Sequence, residues 1–102
     1  MHLVHLLLPL HDNHGHQFSQ ETFGSVREEL TERFGGVTAF IRSPALGLWK
    51  DDSAETTSDD VVMFEVMCEE LDRSWWTDYR HQLERLFKQD EVLIWATEAT
   101  KL

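Results

Sequence analysis

At 102 residues the chain is long enough for one hydrophobic core and too short for two, so a single domain covering residues 1–102 is expected. Its 19 acidic against 9 basic residues give a formal net charge of −10, which repels phosphate backbones and anionic lipid and argues against nucleic acid or membrane surfaces as partners. A single cysteine, Cys68, excludes an internal disulfide; with no basic segment before the short apolar start and no cleavage signature after it, the cytoplasm is the expected location.

The first element, Leu3 to Leu8, is a short apolar run closed by Pro9 and reads as a buried strand. After the loop His11 to Gln17 comes a helix-start signature, with Ser19 as N-cap and Phe18 and Phe23 as a hydrophobic staple. Phe23, Val26, Leu30 and Phe34 then recur at spacings of three and four, and Gly35-Gly36 marks the stop, where a positive φ costs little.

Val37 to Arg42 alternates as a second strand. Ser43-Pro44 interrupts the run before Leu46 to Trp49, so a kinked edge strand is expected, because proline has no N–H for a ladder. Lys50 to Asp60, acidic and rich in Ser and Thr, reads as a long hairpin loop or flap. The third strand, Val61 to Cys68, is unusual in being apolar on both faces apart from Glu65, which means that both faces are covered. Cys68 falls on its apolar side and reads as a buried, inert thiol. Asp72 caps a second helix stapled by Leu71 and Trp76. Its stripe is Trp76, Tyr79, Leu83, Leu86 and Phe87, and Glu91 to Thr97 is the last strand.

The order β-α-β-β-α-β, with right-handed crossovers and a central hairpin, predicts an α+β, ferredoxin-like fold. Its four-stranded antiparallel sheet has the order 4-1-3-2, with both helices on one face. If Val4, Leu6, Leu8, Val62, Phe64 and Val66 pack on the helices, parity sends Leu3, His5, Leu7, Thr38, Phe40, Arg42, Met63, Glu65 and Met67 to the other face. Leu93 and Trp95 of the ambiguous last strand are assigned there too. So many large apolar groups exceed the roughly 300–600 Å² patch of a typical monomer. A homodimer through this open face is therefore expected.

The segments FGGVT (Phe34 to Thr38), GLW (Gly47 to Trp49) and FEV (Phe64 to Val66) resemble those of uncharacterised small bacterial proteins of ferredoxin-like fold, of the dimeric α/β-barrel type. Dimers of that type include cofactor-independent oxygenases, lactone isomerases and haem-handling enzymes. The resemblance implies the fold and the dimer, and it implies no particular activity.

On the open face His5 and Glu65 lie near mid-strand on neighbouring central strands. A neutral imidazole beside a carboxylate in apolar surroundings suits proton transfer on a small carbonyl or phenolic substrate, so these two are the candidate catalytic pair. Arg42, Phe40, Trp49, Met63 and Trp95 would line the ligand pocket. A hydrogen-bonded contact that fixes strand register accounts for the same pair without chemistry. The imidazoles of His11, His14 and His16 could in principle ligate a metal, but the spacing H-x2-H-x-H matches no helical face and no closed four-ligand motif, so no metal is assigned. Trp75 and Trp76 point about 100° apart at the start of their helix, so one enters the core and the other either covers the sheet edge or stays partly exposed. No phosphate loop, CxxC, HExxH or GxSxG is present, and no cofactor is expected. Two readings of function follow. The first is a dimeric small-molecule-binding or regulatory module. The alternative is a cofactor-independent oxygenase or isomerase that uses His5 and Glu65.

Overall fold

The computed structural model describes residues 1–42 and 60–102. Within them the chain is α+β, running β1 (His2–Pro9), α1 (Gln20–Phe34), β2 (Thr38–Arg42), β3 (Val61–Cys68), α2 (Arg73–Leu86) and β4 (Leu93–Glu98). The sheet is antiparallel throughout, in the spatial order β2-β3-β1-β4. The expected kinked segment Ser43 to Trp49, and the flap up to residue 59, lie outside the described residues.

Each helix starts where a side chain satisfies an otherwise unpaired N–H. Ser19 accepts from the Thr22 N–H and Asp72 from the Trp75 N–H, so both caps bond the third helical position. The staple of α1 is formed by Phe18 and Phe23, whose rings meet edge to face at 6.4 Å. At the far end Gly35 takes φ +83° and returns its N–H to the Thr31 carbonyl, a left-handed closure that a Cβ would strain. Helix α2 ends with Lys88 at φ +53°.

Alternation along the central strands builds the core. Val4, Leu6 and Leu8 of β1 and Val62, Phe64 and Val66 of β3 are buried against Val26 and Leu30 of α1 and against Trp76, Tyr79 and Leu83 of α2. Both helices therefore cover the same face. Burial of that order stabilises by about 1.5–3 kcal/mol per large apolar side chain. On β4, Ile94 and Ala96 pack against this core while Leu93 is exposed, which gives Leu93 and Trp95 to the opposite face. Val92 is buried just before β4 starts, and its N–H donates to Glu84 Oε2 at 3.0 Å, which ties the strand to α2.

Two details differ from the expectations. Leu86, assigned to the apolar stripe, is exposed, because α2 ends there and Phe87 closes the core in its place, fully buried against Phe18 and Phe23. Cys68 is only partly buried, since it sits at the end of β3. Trp76 enters the core, whereas Trp75 stays partly buried and carries the Arg33 guanidinium 4.4 Å above its ring. Arg33 also pairs with Asp72 at 3.5 Å, so one side chain at the end of α1 holds the start of α2.

Candidate active site

The register of the sheet aligns one residue from each strand in a single row across the open face: Thr38 of β2, Glu65 of β3, His5 of β1 and Trp95 of β4. Directly opposite residues on an antiparallel ladder bring side chains within about 4.5–5.5 Å at Cβ, so neighbours in such a row must interact. They do. His5 Nδ1 lies 3.2 Å from Glu65 Oε2, and the His5 imidazole stacks on the Trp95 indole at 4.8 Å between centroids and 11° between planes.

The pair is largely withdrawn from water, with side chains 14% exposed for His5 and 28% for Glu65. His5 Nδ1 itself is closed to solvent, yet its approach to Glu65 lies off the line of a hydrogen bond, so the nitrogen has no aligned partner among the described residues. Buried polar atoms are normally paired; His2 Nδ1, His11 Nδ1 and Arg80 Nε share this state, and what sets His5 apart is the carboxylate 3.2 Å away and the indole stacked on its ring.

Apolar rows flank the polar one. On one side Met63 is opposite Leu7, and Leu7 is opposite Leu93; on the other Met67 is opposite Leu3. Met63 is buried, while Met67 and Leu93 are more than half exposed. Of the residues expected to line a pocket, Trp95 and Met63 thus lie beside the pair. Phe40 and Arg42 occupy register positions opposite Met63 and Val61 on β2, and Trp49 lies outside the described residues.

A feature with no sequence signal lies on the helix side of the sheet. Between the start of α2 and the edge of β4 runs an open cleft of about 320 Å³, lined by Val4, Leu71, Arg73, Trp76, Thr77, Ile94, Trp95 and Ala96. Its lining comes from β1, β4 and the α2 start, so no local spacing announces it. Trp95 belongs both to this cleft and to the His5 stack.

The three loop histidines do not assemble a ligand set. Asp12 Oδ1 accepts from the His14 and His16 N–H groups at 2.8 and 2.9 Å, and His11 enters an isolated bridge with Gln17. Among the described residues no group of three or more His, Cys, Asp or Glu side chains could hold a metal ion. The hydrogen bond from the His16 backbone, followed by that from His14, holds the Asp12 carboxyl below its ordinary range. Burial pushes the Cys68 thiol up, and it pushes the Tyr79 phenol up strongly.

No protein family matches the chain, and no curated protein is similar to it in sequence. Its fold has a solved counterpart. A phage SAM lyase in complex with S-methyl-5'-thioadenosine is similar to it with a TM-score of 0.61, over 95% of this chain and 80% of that one, at 14% identity. At that identity the likeness is one of fold. It nevertheless corrects the first reading of function. That counterpart is an enzyme, which tells against the first reading, a non-enzymatic binding or regulatory module, and that reading is withdrawn.

Among the described residues no helix is long and apolar enough to cross a membrane.

Proposed function

We propose that this chain is a small enzyme of ferredoxin-like fold whose reaction is carried out by His5 and Glu65 on the open face of the sheet, with Trp95 as platform for a planar part of the substrate. The observation that carries the reading is His5 Nδ1, shielded from water, 3.2 Å from a carboxylate and without an aligned hydrogen bond. An imidazole so placed acts as general base, and the carboxylate beside it stabilises the imidazolium that forms. Proton abstraction next to a leaving group or carbonyl is the reaction class that such a pair serves without a nucleophile. The small carbonyl or phenolic substrate expected from the sequence belongs to this class.

The fold counterpart supplies a more definite compound to test. A sulfonium nucleoside combines a planar ring, which suits stacking on Trp95, with a positive charge, which suits the Glu65 carboxylate. When His5 removes a proton from the carbon adjacent to the one bearing the sulfonium, that electron pair forms the new double bond. The carbon–sulfur pair then leaves with sulfur and neutralises it.

The test is incubation of the purified chain with S-adenosylmethionine while S-methyl-5'-thioadenosine is followed by liquid chromatography. Release by the wild type, reduced at least about a hundredfold in both His5→Ala and Glu65→Gln, supports the reading. Absence of turnover together with absence of S-methyl-5'-thioadenosine binding at millimolar concentration removes the sulfonium substrate. Equal turnover in the variants removes the pair.

A further inference from the structure

We infer that the cleft between the start of α2 and the edge of β4 is a second binding site, for a small carboxylate with an apolar body whose charged end meets Arg73. The site is separate from the one proposed above, since the cleft lies on the helix side of the sheet and the His5–Glu65 pair on the other.

The cleft has the size of a ligand site. Its volume of about 320 Å³ falls at the small end of the roughly 300–1,000 Å³ that small-molecule sites span. At about 30 Å³ each, the share of one water in the liquid, it holds on the order of ten non-hydrogen atoms. Strand β4 is an outer strand, paired only with β1, so the cleft opens at the edge of the sheet and a ligand enters without displacing a strand.

Its lining is graded from apolar to cationic. Val4 and Trp76 are buried, and Ile94 and Ala96 are partly buried against the same core, which makes an apolar floor. Arg73 and Thr77 are exposed and stand four residues apart on α2, so they share a helix face at the rim. The Thr77 hydroxyl donates to the Arg73 carbonyl at 2.9 Å, which commits its only proton. The guanidinium is thus the donor that a charged ligand meets.

Electrostatics select the sign of the ligand. The chain carries 19 acidic residues, yet no carboxylate is among the residues that line the cleft. Asp72, next to Arg73 in the chain, is engaged elsewhere: it accepts from the Trp75 N–H and pairs with Arg33 at 3.5 Å. Among the described residues Arg73 has no ion pair of its own. Its charge and the positive end of α2 favour an anion, and the planar fork of a guanidinium matches a carboxylate through two parallel N–H bonds. The groove between the two helices gives the contrast. Its lining has Glu29 and Tyr79 and no basic residue, so the same ligand finds no partner there.

Phenylacetate, which has that size, is the probe, titrated into isotope-labelled protein and followed by NMR. The expected result is saturable shifts confined to Trp76, Thr77, Ile94 and Ala96 and their neighbours in the cleft. Phenylacetamide, of the same shape without the charge, binds at least about tenfold more weakly. Arg73→Gln weakens phenylacetate by a similar factor, and Arg73→Lys recovers part of the loss. Arg27→Gln removes an exposed arginine elsewhere on the chain and leaves the affinity unchanged, which separates the site from an effect of net charge. Far-ultraviolet circular dichroism checks that each variant keeps its helices. No saturation by about 10 mM, shifts outside the cleft, equal affinity for phenylacetamide, full affinity in Arg73→Gln, or an equal loss in Arg27→Gln each overturns the inference.

Binding is read without turnover, so its failure is separable from that of the proposed function. Phenylacetate bound in the cleft, with no release of S-methyl-5'-thioadenosine from S-adenosylmethionine, leaves the site and removes the reaction. Release without binding in the cleft leaves the enzyme and removes the site.

Discussion

His5 and Trp95 face each other on β1 and β4 with rings stacked 4.8 Å apart and nearly parallel, which fixes the orientation of the imidazole beside Glu65. We predict that Trp95→Ala weakens binding of S-methyl-5'-thioadenosine about tenfold, the amount that an aromatic stack contributes, while Trp95→Phe keeps most of the affinity. Calorimetric titration of both variants measures this; equal loss in the two speaks against stacking.

Phe64, at the centre of β3, is 2% exposed and packs among β1 and both helices. Its replacement by Ala leaves a cavity that rigid neighbours do not fill, and should destabilise the fold by about 3–5 kcal/mol. Met67→Ala on the same strand, with its side chain largely in water in a single chain, should cost under about 1 kcal/mol when the chain is monomeric. Urea unfolding of the two variants supplies the comparison.

Glu84 links α2 to the start of β4 by accepting the Val92 N–H at 3.0 Å, with Arg80 Nε 3.8 Å from the same oxygen. Removing the acceptor leaves a part-buried N–H without its partner, and Glu84→Ala should cost about 1–3 kcal/mol. Gln keeps an acceptor oxygen there and should recover most of that loss. Hydrogen exchange of the Val92 amide reports the effect directly, accelerated in the Ala variant and near wild type in the Gln variant.

The Cys68 thiol is pushed above its ordinary 9.0 chiefly by burial. The thiolate is the nucleophile, so reaction with a disulfide reagent at pH 8 should be slower in the native protein than in the urea-unfolded chain. A native rate equal to the unfolded one would show the burial to be wrong.

Asp12 is held below its ordinary 3.8, first by the His16 backbone bond. A carboxyl with a lower value folded than unfolded stabilises the loop above the unfolded value, and that contribution disappears as pH falls through the folded one. NMR titration of the Asp12 carboxyl should give a midpoint under 3.8, and Asp12→Asn should flatten the acid side of the stability curve in that window.

The elements were legible because each carries its signal locally: Ser19 and Asp72 as caps, Gly35 as the helix stop, and the alternation of β3 that sorts Phe64 from Glu65. Parity along single strands placed His5, Glu65 and Met63 on one face, whereas it left the last strand ambiguous and the side of Trp95 a choice between two. Whether the first two touch was not legible, since that depends on the register between β1 and β3, and a shift of one residue would turn the strand's side chains to the other face. The exposure of Leu86 was missed because Leu86 and Phe87 are adjacent apolar residues at the end of α2, and spacing alone does not say that only Phe87 is buried. The cleft beside Trp95 was missed because its walls come from three separate stretches of chain.

By itself, then, the sequence determined the helices, the strands and which residues share a face, all consequences of short-range periodicity and capping. Only the tertiary structure decided that Glu65, His5 and Trp95 form one continuous row, with Nδ1 cut off from water 3.2 Å from a carboxylate. The physical reason is that ladder pairing joins residues some 60 and 90 positions apart, and the distances that make a site out of them exist only once the sheet has closed.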